Sequence, residues 1–188
     1  NYNNTNYMNE GVAYLKVFKL NENTNKFEEV GYNLHTGYVV EPSLSESNGT
    51  LYVSYTDFEL GNKVFIKKYE NNTWTDIQGI NLSASRATIK ADNSKLYLAV
   101  TSIVGEDSSQ VYVYENNKWT KLGDNVGGSE VGNLLIDSND KTPYVAYADS
   151  ESGYSIVKKL DGDKWVQEGS NVSDERISKL DFKISNSK

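Results

Sequence analysis

The sequence predicts an all-β chain built from four-stranded antiparallel units that repeat along its length. Three observations carry this. The composition is rich in strand and turn formers, with 14 Tyr, 22 Asn and 14 Gly against only 2 Pro. An aromatic residue and a following glycine recur together at a fixed period. One strand of each unit is uncharged on both of its faces. No stretch of a dozen residues has clean helical periodicity.

The period is marked by Glu70-Asn71-Asn72-Thr73-Trp74-Thr75, Glu115-Asn116-Asn117-Lys118-Trp119-Thr120 and Asp161-Gly162-Asp163-Lys164-Trp165-Val166. A weaker copy, Asn23-Thr24-Asn25-Lys26-Phe27-Glu28, has Phe in the Trp place. Steps from Phe27 to Trp74, Trp119 and Trp165 are 47, 45 and 46 residues. Gly31, Gly79, Gly123 and Gly169 follow the four aromatics, so two independent landmarks share one spacing.

Each unit reads as four strands, A to D. Strand A is expected at Ser43–Ser47, Ala87–Asp92, Asn133–Asp137 and Lys179–Ser185. Strand B is expected at Leu51–Asp57, Leu96–Ser102 and Pro143–Asp149. Strand C is expected at roughly Val12–Leu20, then Lys63–Tyr69, Gln110–Glu115 and Tyr154–Leu160. Strand D runs from the aromatic to near the glycine. The Asn-Asn and Gly-Asp links between C and D suit the left-handed backbone of tight hairpins.

Strand B explains why the units must stack. One face carries Tyr52, Ser54 and Thr56, then Tyr97, Ala99 and Thr101, then Tyr144, Ala146 and Ala148. The other carries Leu51, Val53 and Tyr55, with Leu96, Leu98, Val100 and Pro143, Val145, Tyr147 in the later units. A strand apolar on both sides needs a neighbour above and below. The small residues leave room that the tryptophan of the next unit is expected to fill. Four-stranded meanders of this size packed around an axis describe a β-propeller. Residues 1–10 read as a tail and 11–188 as one domain, with repeats near 11–42, 43–86, 87–131 and 132–178 and a final strand in 179–188. The ring either closes as four blades or forms part of a larger ring, completed by further sequence or a second chain through the unpaired terminal strands.

The phrases Tyr144-Val145-Ala146-Tyr147-Ala148-Asp149 and Leu51-Tyr52-Val53-Ser54-Tyr55-Thr56-Asp57, each followed by a Val-containing strand, then Trp, then Gly, resemble the repeats of bacterial secreted and cell-surface β-propeller proteins. The resemblance implies an extracellular or surface setting. It lacks the marks of WD40, kelch and sialidase-type blades. The chain starts at Asn1 without an apolar leader, so a processed product or excised segment is expected.

Charge and composition exclude several functions. Net charge is -7, from 19 basic and 26 acidic side chains, which disfavours nucleic acid. No apolar run is long enough to insert in a membrane. With no Cys and one His, thiol chemistry and multi-histidine metal sites are excluded, and no cofactor is expected. There is no Gly-x-Ser-x-Gly elbow, phosphate loop or His-Glu-x-x-His.

Seven residues after the four glycines stand Tyr38, Arg86, Glu130 and Arg176, in the segments leading into strand A. They are the candidate ligand-binding set, placed to ring the axis, with arginines for acidic or hydroxyl-rich groups. The three tryptophans read as packing between units rather than sugar platforms. His35 reads as an exposed loop residue. Asp57, Asp92, Asp137 and Asp149, at strand ends, read as turn caps rather than calcium ligands. The leading functional expectation is a non-catalytic binding or adhesion module, not an enzyme, that recognises a glycan or an extracellular protein. The alternatives are a scaffold with no ligand and a polysaccharide-acting hydrolase using acidic residues near the axis.

Overall fold

The computed structural model describes residues 13–32, 34–101, 109–127, 131–139, 142–149, 152–173, 175 and 180–185. It is all strand and turn. The first unit holds β1 (Tyr14–Leu15), β2 (Phe18–Asn21), β3 (Lys26–Glu29) and β4 (His35–Thr36), arranged as two two-stranded ribbons, β1-β4 and β2-β3. Three four-stranded antiparallel sheets follow. The first is β5 (Val39–Ser47), β6 (Thr50–Asp57), β7 (Lys63–Glu70) and β8 (Thr73–Asp76). The second is β9 (Arg86–Asp92), β10 (Lys95–Thr101), β11 (Gln110–Glu115) and β12 (Lys118–Lys121). The third is β13 (Val131–Asn139), β14 (Thr142–Asp149), β15 (Ser155–Asp161) and β16 (Lys164–Gln167). These are the expected blades, and β5, β9 and β13 are their A strands.

The hairpin turns follow from their residues. Between Glu70 and Thr73, Asn71 and Asn72 take φ of 52° and 60°. Asn116 and Asn117 repeat this with 52° and 59°. Two consecutive left-handed residues give the hairpin turn whose twist matches the flanking strands, and Asn tolerates that conformation. The final strand expected over Lys179–Ser185 is not seen: residues 180–185 form no strand, and the Ile184 N–H bonds Asp137 Oδ2 at 2.8 Å. Residues 1–12 and Ser102 lie outside the described residues.

The cores lie between blades, not within them. One joins Leu15, Val17, Val30 and Leu34 of the first unit to Val53, Tyr55 and Trp74 of the next. The second joins Val64, Ile66 and Ile77 to Ala87, Leu96, Leu98 and Trp119. The third joins Tyr97, Ala99, Val111 and Val126 to Ile136, Val145 and Trp165. Strand B is buried on both faces, as its pattern required: Val53–Asp57 and Leu96–Thr101 are buried throughout.

Each tryptophan reaches back to the preceding blade and lies against the glycine that ends it. Trp74 Nε1 donates to the Val30 carbonyl at 2.8 Å, and Trp165 Nε1 to the Leu122 carbonyl at 3.1 Å. A Cβ on Gly123 would stand 2.7 Å from Leu160 Cδ1 and 3.0 Å from Trp165 Nε1. A side chain there is therefore excluded by contact as well as by its φ of 73°. The room left by the small residues of strand B is taken mainly by the next blade's strand A rather than by the tryptophan. Ser54 Oγ donates to the Ala87 carbonyl at 2.8 Å across that seam.

Trp119→Ala is expected to destabilise the protein by about 3–5 kcal/mol. Gly123→Ala should cost on the order of 2–4 kcal/mol, from left-handed strain plus overpacking against Trp165. Conservative changes separate packing from hydrogen bonding. Trp119 Nε1 is buried with no partner among the described residues. Trp74→Phe should therefore cost about 1 kcal/mol more than Trp119→Phe, because it strips the bond to Val30. Urea unfolding of the four variants checks this ordering.

Candidate functional site

The rim where strands A begin and strands B end gathers the polar groups that packing does not explain. At this rim β5 is irregular: its register to β6 shifts between Val40 and Ser43. Glu41 sits in that bulge with φ 42°, a conformation that is costly for a residue with a side chain and persists only when its surroundings hold it. Its carboxylate meets Arg86, the first residue of the next innermost strand, with Oε1 2.9 Å from Nη2. This pair bridges two blades at the axis.

Beside it, Tyr38 and Phe58 form an exposed edge-to-face pair with centroids 5.8 Å apart. The Phe58 N–H bonds the Tyr38 carbonyl at 3.0 Å and fixes the loop between β6 and β7 against the entry to β5. Two aromatic faces open to solvent next to a charged pair make an amphipathic ledge.

Behind the ledge lies a buried polar couple. His35 Nε2 is 2.7 Å from Asp57 Oδ2, and the Asp57 side chain is only 3% exposed. Asp57 Oδ1 accepts from the N–H groups of Glu59 and Leu60, at 2.9 and 3.2 Å. His35 lies against the rings of Tyr55 and Phe65, at 4.7 and 5.6 Å. Gly37 permits the approach, because a Cβ there would stand 2.9 Å from Asp57 Oδ2. Burial, then the negative charges of Asp76 and Asp57, push the Tyr55 hydroxyl well above the ordinary tyrosine range. His35 is thus half-buried and bonded, not the exposed loop residue expected.

Further along the axis the innermost strands exchange polar side chains at matching places. Ser43, Ser45 and Ser47 accept the N–H groups of Ile89, Ala91 and Asn93 through Oγ, at 3.2, 2.9 and 3.0 Å. One blade on, Lys90 Nζ lies 2.7 Å from Asp137 Oδ1, and Ser138 Oγ donates to Asp92 Oδ2 at 2.8 Å. Burial alone would raise the Asp137 carboxyl. Lys90 and the N–H groups of Ile184 and Ser138 outweigh it and hold the carboxyl below the ordinary aspartate value. Asp57 and Asp149 do cap turns as expected, Asp149 Oδ1 accepting the Ser152 N–H at 2.7 Å. Asp137 Oδ1 likewise accepts the Ser138 N–H at 2.8 Å, and Asp92 and Asp137 also tie neighbouring blades. Among the described residues no three His, Asp or Glu side chains gather to hold a metal ion.

Of the four candidate ligand residues, Tyr38 and Arg86 stand on this rim, Tyr38 against Phe58 and Arg86 against Glu41. Glu130 and Arg176 lie outside the described residues. Arg86 faces Thr101 across its sheet, and Val40 faces Thr56 in the same way, so Val40 rather than Tyr38 is its counterpart in the preceding blade. Counting from the glycine passes over Glu41. A separate cleft of about 360 Å³ between the first two full blades, lined by Tyr52, Lys68, Asp76, Lys95 and Tyr114, opens at the opposite ends of the strands.

No protein-family model and no curated protein sequence matches the chain. Solved structures do. A GH43B protein of the Bacteroides ovatus xyloglucan utilisation locus is 17% identical at TM-score 0.53, over 74% of this chain and 31% of that one. A triple arginine-to-alanine mutant of AofleA from Arthrobotrys oligospora is 13% identical at TM-score 0.59, over 82% of this chain and 48% of that one. The GH43_1 enzyme from Xanthomonas citri, complexed with xylose, is 14% identical at TM-score 0.46, over 71% and 54%. This chain therefore spans less than half the length of the Bacteroides ovatus and Arthrobotrys oligospora structures. The likeness shows the fold: an all-β propeller. It also corrects the expectation of a non-catalytic binding or adhesion module that is no enzyme, because the GH43B protein of Bacteroides ovatus stands among the structures that share the fold. The physical reason is that acidic groups meeting at an axis come from separate strands, so they leave no contiguous motif to read.

Asp137 makes stability acid-sensitive in a defined direction. Its carboxyl is depressed in the folded state, so its contribution is complete above the unfolded aspartate value of about 4. It is lost as pH falls through the lower folded value. Asp137→Asn should flatten that part of the pH–stability curve, measured by urea unfolding between pH 6 and 2.5. His35→Ala should destabilise by about 1–3 kcal/mol at pH 7 by leaving buried Asp57 short of a partner.

Proposed function

We propose that the chain is part of a polysaccharide-acting propeller of the glycoside-hydrolase kind, with its carbohydrate held at the Glu41–Arg86 rim. One observation carries the reading: Glu41 is kept in a left-handed bulge of an innermost strand, with its carboxylate at the axis against Arg86. Backbone strain of this sort is retained where a side chain must be aimed. The exposed Tyr38–Phe58 pair supplies apolar faces on which a sugar ring can lie, and Arg86 supplies donors for its hydroxyl groups.

Glycoside hydrolysis needs two carboxyl groups flanking the bond, one giving a proton and one acting as base or nucleophile. Glu41 is the carboxylate this rim offers. Asp57 is committed to His35 and to two backbone N–H groups, so it positions the ledge rather than meeting substrate. The second carboxyl comes from another blade around the axis. The exported, surface setting of the bacterial repeat proteins that the sequence resembles suits an extracellular glycan. The xyloglucan context of the Bacteroides ovatus structure makes that polymer the first to try.

Reducing-sugar release from xyloglucan, xylan, arabinan and fructan by the purified protein tests this. Turnover is expected on at least one polymer. Glu41→Gln should lower kcat by roughly 10²-fold or more with folding intact. Tyr38→Ala should raise KM several-fold with a smaller change in kcat. No turnover on any polymer, or full activity in Glu41→Gln, would overturn the proposal.

A further inference from the structure

We infer that the cleft between the first two full blades binds one uncharged sugar residue of a glycan, at a site apart from the rim. Departures from the repeat build this cleft, and they fall together at one seam.

The stitch at this seam carries an extra residue. Gly79 lies five residues after Trp74, whereas Gly31, Gly123 and Gly169 lie four after Phe27, Trp119 and Trp165. The Ile77 N–H bonds the Ile66 carbonyl as Leu122 bonds Val111, so the inserted residue is Gln78, and it lines the cleft. Gly79 is set back in consequence. A Cβ there would stand 3.7 Å from Trp119, where one on Gly123 would stand 3.0 Å from Trp165. Trp74 and Trp165 each bond a carbonyl of the blade before, and the buried Trp119 Nε1 has no partner among the described residues.

The walls differ as well. Lys68 faces Tyr52 across its sheet, and Val113 faces Tyr97 in the same register one blade on. Val113 packs into the core of its seam, and Tyr97 is 2% exposed. A lysine cannot close a seam in this way, because its ammonium must stay in water or find a partner. Lys68 turns instead to Glu70 at 2.7 Å, and Tyr52 stays half-buried. On the facing wall Tyr114 takes the place that Leu160 has in the next blade, each opposite its tryptophan. The Tyr114 ring lies on Trp119 with centroids 5.1 Å apart, and its hydroxyl donates to Asn117 Oδ1 at 3.3 Å.

Volume and charge select the ligand. The cleft holds about 360 Å³, within the range of small-ligand sites, and buried Ile77 and Leu96 line it. Its charged side chains are already paired: Lys68 with Glu70, Asp76 with Lys67 at 2.8 Å and Lys95 with Glu115 at 3.7 Å. An ionic ligand would have to break one of these pairs. Hydroxyl groups need not, since they donate to the carboxylate and accept from the ammonium groups. A sugar ring presents C–H faces to Tyr52 and Tyr114 and a hydroxyl edge to the ion pairs and the Gln78 amide. The site stands on its own residues and does not depend on turnover at the rim.

Electrophoresis through native gels containing xyloglucan, arabinoxylan, arabinan or polygalacturonate tests the site. The protein used carries Tyr38→Ala and Phe58→Ala, which strip the rim of its aromatic ledge. Retardation is expected in at least one of the three uncharged polymers and not in polygalacturonate. Lys68→Val, added to that background, gives this seam the residue that closes the next one. It should weaken binding about fivefold or more, with stability to urea kept or raised. Tyr114→Ala should weaken binding by a similar factor. No retardation in any uncharged polymer, equal retardation in polygalacturonate, or binding indifferent to Lys68→Val would each overturn the site. Sugar release judges the rim separately, so either reading can fail without the other.

Discussion

Everything in this fold depends on a strand that cannot face water on either side. Val53, Leu98 and Val145 look one way from strand B, and Ser54, Ala99 and Ala146 look the other. A single meander could satisfy at most one of those faces. Stability therefore resides in the seams, and each seam is stitched by one large aromatic laid on one bare glycine. The indole bonds to Val30 and Leu122 set the depth of the stitch, and the serine contacts along β5 set its inner margin. A blade removed from this series loses its core, because it never held one of its own.

The rim chemistry follows from the same construction. At the inner edge, successive A strands come close enough for side chains of one to reach backbone of the next. Where the register is regular, small serines suffice. Where β5 bulges, the extra residue carries Glu41 out of the seam and toward Arg86. His35 enters from the connection between units, pinned by Asp57 at the end of β6. The register shifts at the same place in β13, between Gly132 and Leu135, so the bulge belongs to the repeat and Glu41 is the residue that β5 sets in it.

The repeat was legible because its determinants are local and periodic. The aromatic, its turn and its glycine lie within a dozen residues, and the two-sided apolar pattern of strand B needs no partner to be seen. The partner of Trp165 was legible only as a residue type, since nothing in the sequence says which atoms of the preceding blade it meets. Glu41 was passed over because the count began at the glycine. The available signal was Pro42, a proline inside a strand-like run, which marks a bulge or an edge. The His35–Asp57 couple spans 22 residues with no pattern between them. The last strand was expected over Lys179–Ser185 from periodicity alone; residues 180–185 form no strand, and the Ile184 N–H bond to Asp137 holds them beside β13.

The serine row on β5 has a consequence for the behaviour of the chain in a crowded solution. The inner edge of β9 carries N–H groups that would otherwise welcome any extended peptide, the usual route by which sheets recruit one another into aggregates. Ser43, Ser45 and Ser47 occupy those donors one by one with hydroxyl oxygens, at no cost in bulk and without a competing backbone. The edge is silenced by its neighbour's side chains instead of by a covering strand.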